Sequence, residues 1–167
     1  QGTRFTITQE FKKGTHQDLP AVMTTQITGD FLKNKKILVA DDNEMNRLVA
    51  STVLENHGII VSEAVNGADA IRKLEKKNFD LVLMDLQMPV MDGLEASLKI
   101  RKELGLTVPI VALTASALNE ESHRCLDAGM NDFIVKPFKE EDMVEVLIRN
   151  IQFDQRVDQM DNVRKIS

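Results

Sequence analysis

The sequence predicts a doubly wound α/β domain with a five-stranded parallel sheet and five helices. From Lys35 onward, short apolar runs alternate with stretches of helical spacing, which is typical of repeated βα units. The runs are Ile37–Ala40, Ile59–Val61, Leu81–Met84, Ile110–Leu113 and Phe133–Val135. These runs are nearly uniformly apolar rather than alternating with polar residues, which indicates strands covered by helices on both faces.

Capping signals predict where the helices begin and end. The first helix is predicted from about Asn43 to His57 and ends at Gly58. Its predicted inward stripe consists of Met45, Leu48, Val49, Thr52 and Val53. The second helix follows Asn66-Gly67, the third follows Asp92-Gly93, the fourth lies around Ala117–Ala128, and the fifth begins after Pro137.

Length and composition restrict the class of protein. The 167 residues have room for one domain with a sizeable core plus tails. A net charge of −5 argues against a nucleic-acid surface, and no basic stretch suits an anionic membrane. The single Cys125, set in a helical pattern, predicts a buried structural thiol and a reduced, cytosolic setting. The missing initiator Met predicts that the chain is a fragment.

The composition also divides the chain into three parts. Residues 1–33 are rich in Thr, Gln, Lys and Gly and are predicted to form a leader or linker. Residues 34–152 form the predicted domain. In residues 153–167 apolar side chains recur at helical spacing, so a helical extension and a disordered tail both remain open.

Carboxylates follow two of the apolar runs. Asp85 ends the third run, and Asp41 and Asp42 follow the first. In the flavodoxin-like strand order 2-1-3-4-5, these two strands are neighbours at the switch point where ligands bind. Three clustered carboxylates repel one another and would have raised pKa values unless a cation lies among them, and Mg2+ prefers such oxygen ligands. Capping of the first helix by Asp42 or Asn43 is the alternative, but the third carboxylate favours a metal site.

A hydroxyl and an ammonium are predicted at the same edge. Thr114 ends the fourth run, and Lys136 follows the fifth. Taken alone, the threonine is a candidate helix cap and the lysine a solvated loop residue. Together with the acidic cluster they supply what phosphoryl transfer onto Asp85 requires: a nucleophile, a divalent-ion site, a hydroxyl donor and a positive charge.

Four segments resemble the receiver domain of two-component response regulators. They are Ile37–Asn43, Leu83–Gly93, Pro109–Ala115 and Asp132–Phe138, and their order and spacing match the family. The amino-acid sequence of residues 41–47 and 128–132 is similar to that of receivers fused to hybrid sensor histidine kinases. Upstream, Gly2–Ile7 resembles the end of a kinase ATP-binding domain.

The resemblance implies a role for each residue of the site. It implies that Asp85 is the phosphoacceptor, that Thr114 is the switch hydroxyl and that Lys136 is the phosphoryl-binding cation. It also implies that Phe133 is the aromatic rotamer switch. The implied Mg2+ ligands are Asp41, Asp42, Asp85 and the backbone carbonyl of Gln87. The family often has Tyr in place of Phe133.

The same resemblance implies partners and a location. The implied partners are the dimerisation and phosphoacceptor domain of a histidine kinase and a histidine phosphotransfer protein, with no nucleic acid and no membrane contact. The expected location is cytoplasmic, and a membrane-anchored sensor kinase is one parent that fits. No kinase activity is expected of this fragment, which would catalyse only its own phosphorylation and dephosphorylation.

Two other functions remain open at this point. A haloacid-dehalogenase-like phosphatase also uses a strand-end Asp with Mg2+, but it would have a second Asp where Gln87 stands. A receiver-like binding module that is never phosphorylated usually lacks part of the acidic pair, the threonine or the lysine, and all of these are present here.

Overall fold

A parallel sheet in the predicted order forms the centre of the molecule. The computed structural model describes residues 31–116 and 119–151. Within these ranges the sheet has five strands in the order β2-β1-β3-β4-β5, and all neighbouring strands are parallel. The strands are β1 Lys36–Ala40, β2 Ile60–Ala64, β3 Leu81–Asp85, β4 Ile110–Thr114 and β5 Asp132–Val135. The predicted strand order is confirmed.

Five helices alternate with these strands in the described residues. They are α1 Glu44–Asn56, α2 Gly67–Leu74, α3 Gly93–Lys102, α4 Asn119–Asp127 and α5, residues 140–151. Side-chain caps start three of them. Asn43 accepts a hydrogen bond from the backbone of Met45 at 2.9 Å, and Asp92 accepts one from Glu95 at 2.8 Å. Such caps satisfy backbone N–H groups that have no partner within the helix.

The core lies on both faces of the sheet. Along β3, Leu81 and Leu83 face the cluster that includes α1 and α5. Val82 and Met84 face the opposite cluster, to which α2, α3 and α4 contribute. Since successive strand residues point to opposite faces and both faces are covered, β3 is apolar at every position up to Asp85.

The predicted inward stripe of α1 is wrong. Met45, Leu48 and Val49 are 64%, 57% and 48% exposed, and Thr52 is also exposed. The buried residues of α1 are instead Ala50, Ser51 and Leu54, with Val53 partly buried. Small side chains face the sheet, and Ser51 donates a hydrogen bond to Glu63 of β2 at 2.9 Å. Three of the larger apolar side chains of α1, Met45, Leu48 and Val49, therefore face solvent, whereas Leu54 is buried in the core.

The predicted buried thiol is confirmed. Cys125 is 3% exposed on α4. Burial, and after it the negative charge of Glu121, raises the pKa of this thiol. A thiol with a raised pKa carries little thiolate, so Cys125 has the character of an inert core residue.

The two terminal predictions concern residues that are almost all outside the described ranges. The leader, including the strand-like piece at Phe5 and the kinase resemblance at Gly2–Ile7, lies there, and so does the segment 153–167. Phe31 and Leu32 are described, and they pack against the core. Within the described residues no helix is both long and apolar enough to cross a membrane.

Candidate functional site

The three strand-end aspartates meet at the carboxyl edge of the sheet. One carboxylate oxygen from each of Asp41, Asp42 and Asp85 lies within 4.8 Å of the others. They meet because β1 and β3 are neighbours in the sheet. Asp41 and Asp85 are buried, whereas Asp42 is exposed. This all-oxygen, open-sided donor set suits Mg2+, which binds through a few carboxylates and keeps several waters.

Lys136 joins the two buried carboxylates. Its Nζ lies 2.7 Å from Asp41 Oδ2 and 3.0 Å from Asp85 Oδ1. The lysine follows β5, and its backbone N–H donates to the carbonyl of Thr114 at 2.7 Å. The peptide bond between Lys136 and Pro137 is cis. The ammonium therefore reaches from β5 across β4 to the centre of the sheet, where it balances two negative charges.

The ionisation of Asp85 reflects competing influences. Burial raises its pKa, and the negative charge of Asp41 adds to the rise. The hydrogen bond and positive charge of Lys136, together with the backbone N–H of Gln87, lower the pKa in part. The net direction is upward. A divalent cation among the aspartates would favour the charged, nucleophilic form of Asp85.

Two polar residues of α1 hold the acidic pair in place, and the sequence prediction missed both. Asn46 Nδ2 donates to both carboxylate oxygens of Asp41 at 3.2 Å. Arg47 Nη1 donates to the backbone carbonyls of Asp41 at 2.8 Å and Asp42 at 3.2 Å, and its Nε contacts Glu63 at 3.1 Å. The sequence feature that could have identified Asn46 and Arg47 is their position in the first turn of the helix that directly follows the two aspartates.

The loop after β3 supports Asp85 from below. Gln87 N–H lies 3.4 Å from Asp85 Oδ1, which places the Gln87 backbone beside the carboxylate. A side chain at Gly93 would collide with the Asp85 carbonyl, so only glycine fits there. Val90 has a φ of +71° within a tight turn closed by a 2.8 Å hydrogen bond from Met91 to Pro89. This φ is strained for a β-branched residue.

Thr114 lies at the same edge, but its hydroxyl is directed at helix α4. The residue is 3% exposed at the end of β4. Its Oγ1 lies 2.6 Å from Glu121 Oε2 and 2.9 Å from the Ser116 carbonyl, and it accepts from Ser116 N–H at 3.1 Å. The contact between Thr114 and Glu121 was not predicted.

Phe133 lies on β5, away from the carboxylates. It is partly buried against the core and lines a cavity of about 170 Å³ together with Cys125, Leu126 and Met130. This position is next to α4, the helix that carries Glu121. Its role as a rotamer switch stays a prediction.

A cleft opens beside the acidic cluster. Its volume is about 430 Å³, and its lining includes Asp42, Gln87, Glu121 and Arg124. The cleft is lined by both polar and apolar side chains, carries charges of both signs, and has room for a small anion next to the aspartates. The fold and the site together define a class of protein. It is a doubly wound α/β domain in which an acidic cluster, paired with a lysine, lies at the switch point of the sheet.

The chain belongs to the response regulator receiver domain family. The family model with that description matches residues 37–148. The chain is thus a receiver domain of a two-component system, which confirms the receiver interpretation and not the phosphatase alternative.

The curated relatives of the chain include sensor and hybrid histidine kinases. The chain is 43% identical over 117 residues to the sensor histidine kinase RcsC of Salmonella typhimurium, covering 70% of this chain and 12% of RcsC. It is 40% identical over 119 residues to hybrid signal transduction histidine kinase L of Dictyostelium discoideum, covering 67% of this chain and 7% of that kinase. The chain thus spans a small part of the proteins it matches.

Solved receiver structures share the fold. The receiver domain of sensor histidine kinase PA1611 from Pseudomonas aeruginosa PAO1, described with a magnesium ion coordinated in its active site cleft, is 41% identical, with a TM-score of 0.66. The match covers 71% of this chain and 98% of that one. A co-crystal structure of the Saccharomyces cerevisiae phosphotransfer protein Ypd1 with the Ssk1 receiver matches at 28% identity and a TM-score of 0.68, covering 73% and 92%.

Proposed function

We propose that Asp85 accepts a phosphoryl group from a phosphohistidine, and that Asp41, Asp42, Asp85 and the Gln87 carbonyl bind Mg2+ for this reaction. The observation that supports the proposal is the position of Lys136, whose ammonium lies within hydrogen-bond distance of both Asp41 and Asp85. Such a cation can follow the charge of a phosphoryl group as it arrives on Asp85.

The proposed reaction is a displacement at phosphorus. An oxygen of the Asp85 carboxylate forms the new P–O bond, the P–N bond to the donor imidazole breaks, and the departing nitrogen takes up a proton. Lys136 holds the Asp85 carboxylate in place and pairs with a phosphoryl oxygen. Bound Mg2+ would supply neutralisation of the remaining phosphoryl oxygens.

The proposal is tested by intact-mass measurement after incubation with acetyl phosphate. We expect the chain to gain one phosphoryl group when Mg2+ is present, and none when the metal is chelated. Without the metal, the negative oxygens of the aspartates repel the negative oxygens of the incoming phosphoryl group. No adduct would favour a binding module that is never phosphorylated. Continuous release of phosphate from many external esters would favour a phosphatase.

The exposed face of α1 is the proposed docking surface for a histidine phosphotransfer protein. Met45, Leu48 and Val49 lie at helical spacing on the helix that begins directly after Asp41 and Asp42. Val90, 86% exposed, adds an apolar side chain at the same edge of the sheet. An apolar surface next to the acceptor lets a helical partner bring its histidine to Asp85.

This docking proposal predicts that Leu48→Asp slows phosphotransfer from a protein donor while leaving uptake from acetyl phosphate unchanged. With phosphorylated Ypd1 as the donor, we expect the transfer rate at low receiver concentration to fall roughly thirtyfold, the size of a hot-spot loss of about 2 kcal/mol. The matched control is Ile60→Asp. Ile60 is 50% exposed at the amino edge of the sheet and should leave both rates at the parent level. Equal transfer to parent and Leu48→Asp would contradict the proposed surface.

A further inference from the structure

The hydroxyl of Thr114 is held by a charged partner. Thr114 Oγ1 lies 2.6 Å from the Glu121 carboxylate, and the threonine is nearly buried. A hydrogen bond from a hydroxyl to a carboxylate at this distance is charge-assisted and about twice as strong as a neutral one. The hydroxyl has a single proton. The Ser116 carbonyl, at 2.9 Å, competes with Glu121 for it, but the shorter contact to the charged oxygen is the stronger one. While that proton is donated to Glu121, it is not available to an oxygen on Asp85.

From this geometry we infer that Glu121 is a positioning residue, which keeps the Thr114 hydroxyl turned away from Asp85 in the unphosphorylated receiver. The inference deepens the proposed function and rests on phosphorylation at Asp85. The contact adds a free-energy cost to phosphorylation. The hydrogen bond between Thr114 and Glu121 must break before the Thr114 hydroxyl can donate to a phosphoryl oxygen on Asp85. Glu121 therefore opposes the phosphorylated state and weakens the affinity of the site for the group.

The cleft offers Glu121 another partner once its contact with Thr114 is broken. Glu121 lines the cleft together with Asp42, beside the acidic cluster. Phosphorylation of Asp85 brings a charge of about −1.5 to −2 to that cluster, which repels Glu121 while attracting a hydroxyl donor. Arg124 lines the same cleft and lies one helical turn after Glu121, within the spacing at which a released carboxylate can pair with it. The Thr114 hydroxyl and the Glu121 carboxylate thus each have a partner in the unphosphorylated and in the phosphorylated receiver.

The test is a double-mutant cycle read by a phosphoryl mimic. Beryllium fluoride with Mg2+ is titrated into the parent, Glu121→Ala, Thr114→Val and the double variant, and the half-saturating concentration is measured. We expect Glu121→Ala to lower that concentration about fivefold or more, in the range of typical coupling between two sites. In the Thr114→Val background the same change should have a much smaller effect, because only the direct charge repulsion of Glu121 remains once the hydroxyl is gone.

Two further measurements separate this effect from a general change in charge. Glu120→Ala removes an exposed carboxylate from the same turn of α4 and should leave the half-saturating concentration unchanged. The amide resonance of Thr114 in ligand-free Glu121→Ala should move from its parent position toward the beryllium-fluoride-bound position. Thermal unfolding of each variant shows that it is folded.

The outcomes are distinct. A fivefold gain confined to the Thr114 background supports the inference. An equal gain in both backgrounds, or no gain in either, overturns it while leaving the proposed function intact, provided that the parent binds the mimic. A parent that does not bind beryllium fluoride with Mg2+ overturns the proposed function itself, and the inference falls with it.

Discussion

The Asp85→Asn variant is expected to take up no phosphoryl group from acetyl phosphate at any Mg2+ concentration. An amide oxygen is a far weaker nucleophile than a carboxylate and carries no charge for the metal. The variant should nevertheless stay folded. Burial raises the pKa of Asp85, so the site already suits a neutral side chain, and the amide oxygen can still accept from Lys136 and from the backbone of Gln87. Intact-mass measurement gives the result directly.

Asp80→Asn is the matched control for this loss. Asp80 lies just before the same strand, at the opposite edge of the sheet, where it accepts from Lys36 N–H at 2.7 Å and contacts Lys35 at 3.3 Å. An amide oxygen keeps the first of these contacts, so the variant should fold and be phosphorylated like the parent. An adduct on Asp85→Asn equal to that on Asp80→Asn would contradict the assignment of Asp85.

Lys136→Met is expected to lower the rate of phosphoryl uptake on the order of 10²-fold at saturating Mg2+, the size seen when one preorganised donor to a developing anion is removed. The substitution keeps the apolar stem of the side chain and removes only the ammonium that lies 3.0 Å from Asp85. The initial rate with acetyl phosphate measures the effect.

Lys139→Met provides the comparison for the lysine. Lys139 is exposed and lies three residues later, between Lys136 and the start of α5. Its substitution should leave the rate at the parent value, whereas an unchanged rate for Lys136→Met would show that the ammonium is not needed. Thermal unfolding should accompany both measurements, because Lys136→Met leaves the buried Asp41 without its cation.

The fold could be predicted because the strands are short, apolar and buried on both faces. Leu81–Asp85 is short and apolar up to its last residue, which favours a covered strand over a surface helix. The polar caps Asn43, Asn66 and Asp92 mark where three helices begin. The meeting of Asp41, Asp85 and Lys136 follows from the topology, because all three residues end or follow parallel strands.

The contacts that depend on packing could not be predicted. The apolar pattern of α1 suggested the wrong inward face. The helix packs through Ala50, Ser51 and Leu54, and Ser51 bonds to Glu63 on a different element. Arg47 and Glu121 were missed for a related reason. Each finds its partner only once a helix has docked on the sheet edge, and the spacing of the residues along the chain does not encode that docking.

Reductive trapping with borohydride identifies the phosphorylated residue by its position in the chain. Borohydride reduces an acyl phosphate to an alcohol and thereby converts a phosphorylated aspartate into homoserine, which peptide mass spectrometry can locate. After incubation with acetyl phosphate and Mg2+, we expect homoserine at position 85 and nowhere else in the chain. Homoserine at Asp41, Asp42 or any other position, with position 85 unchanged, would contradict it.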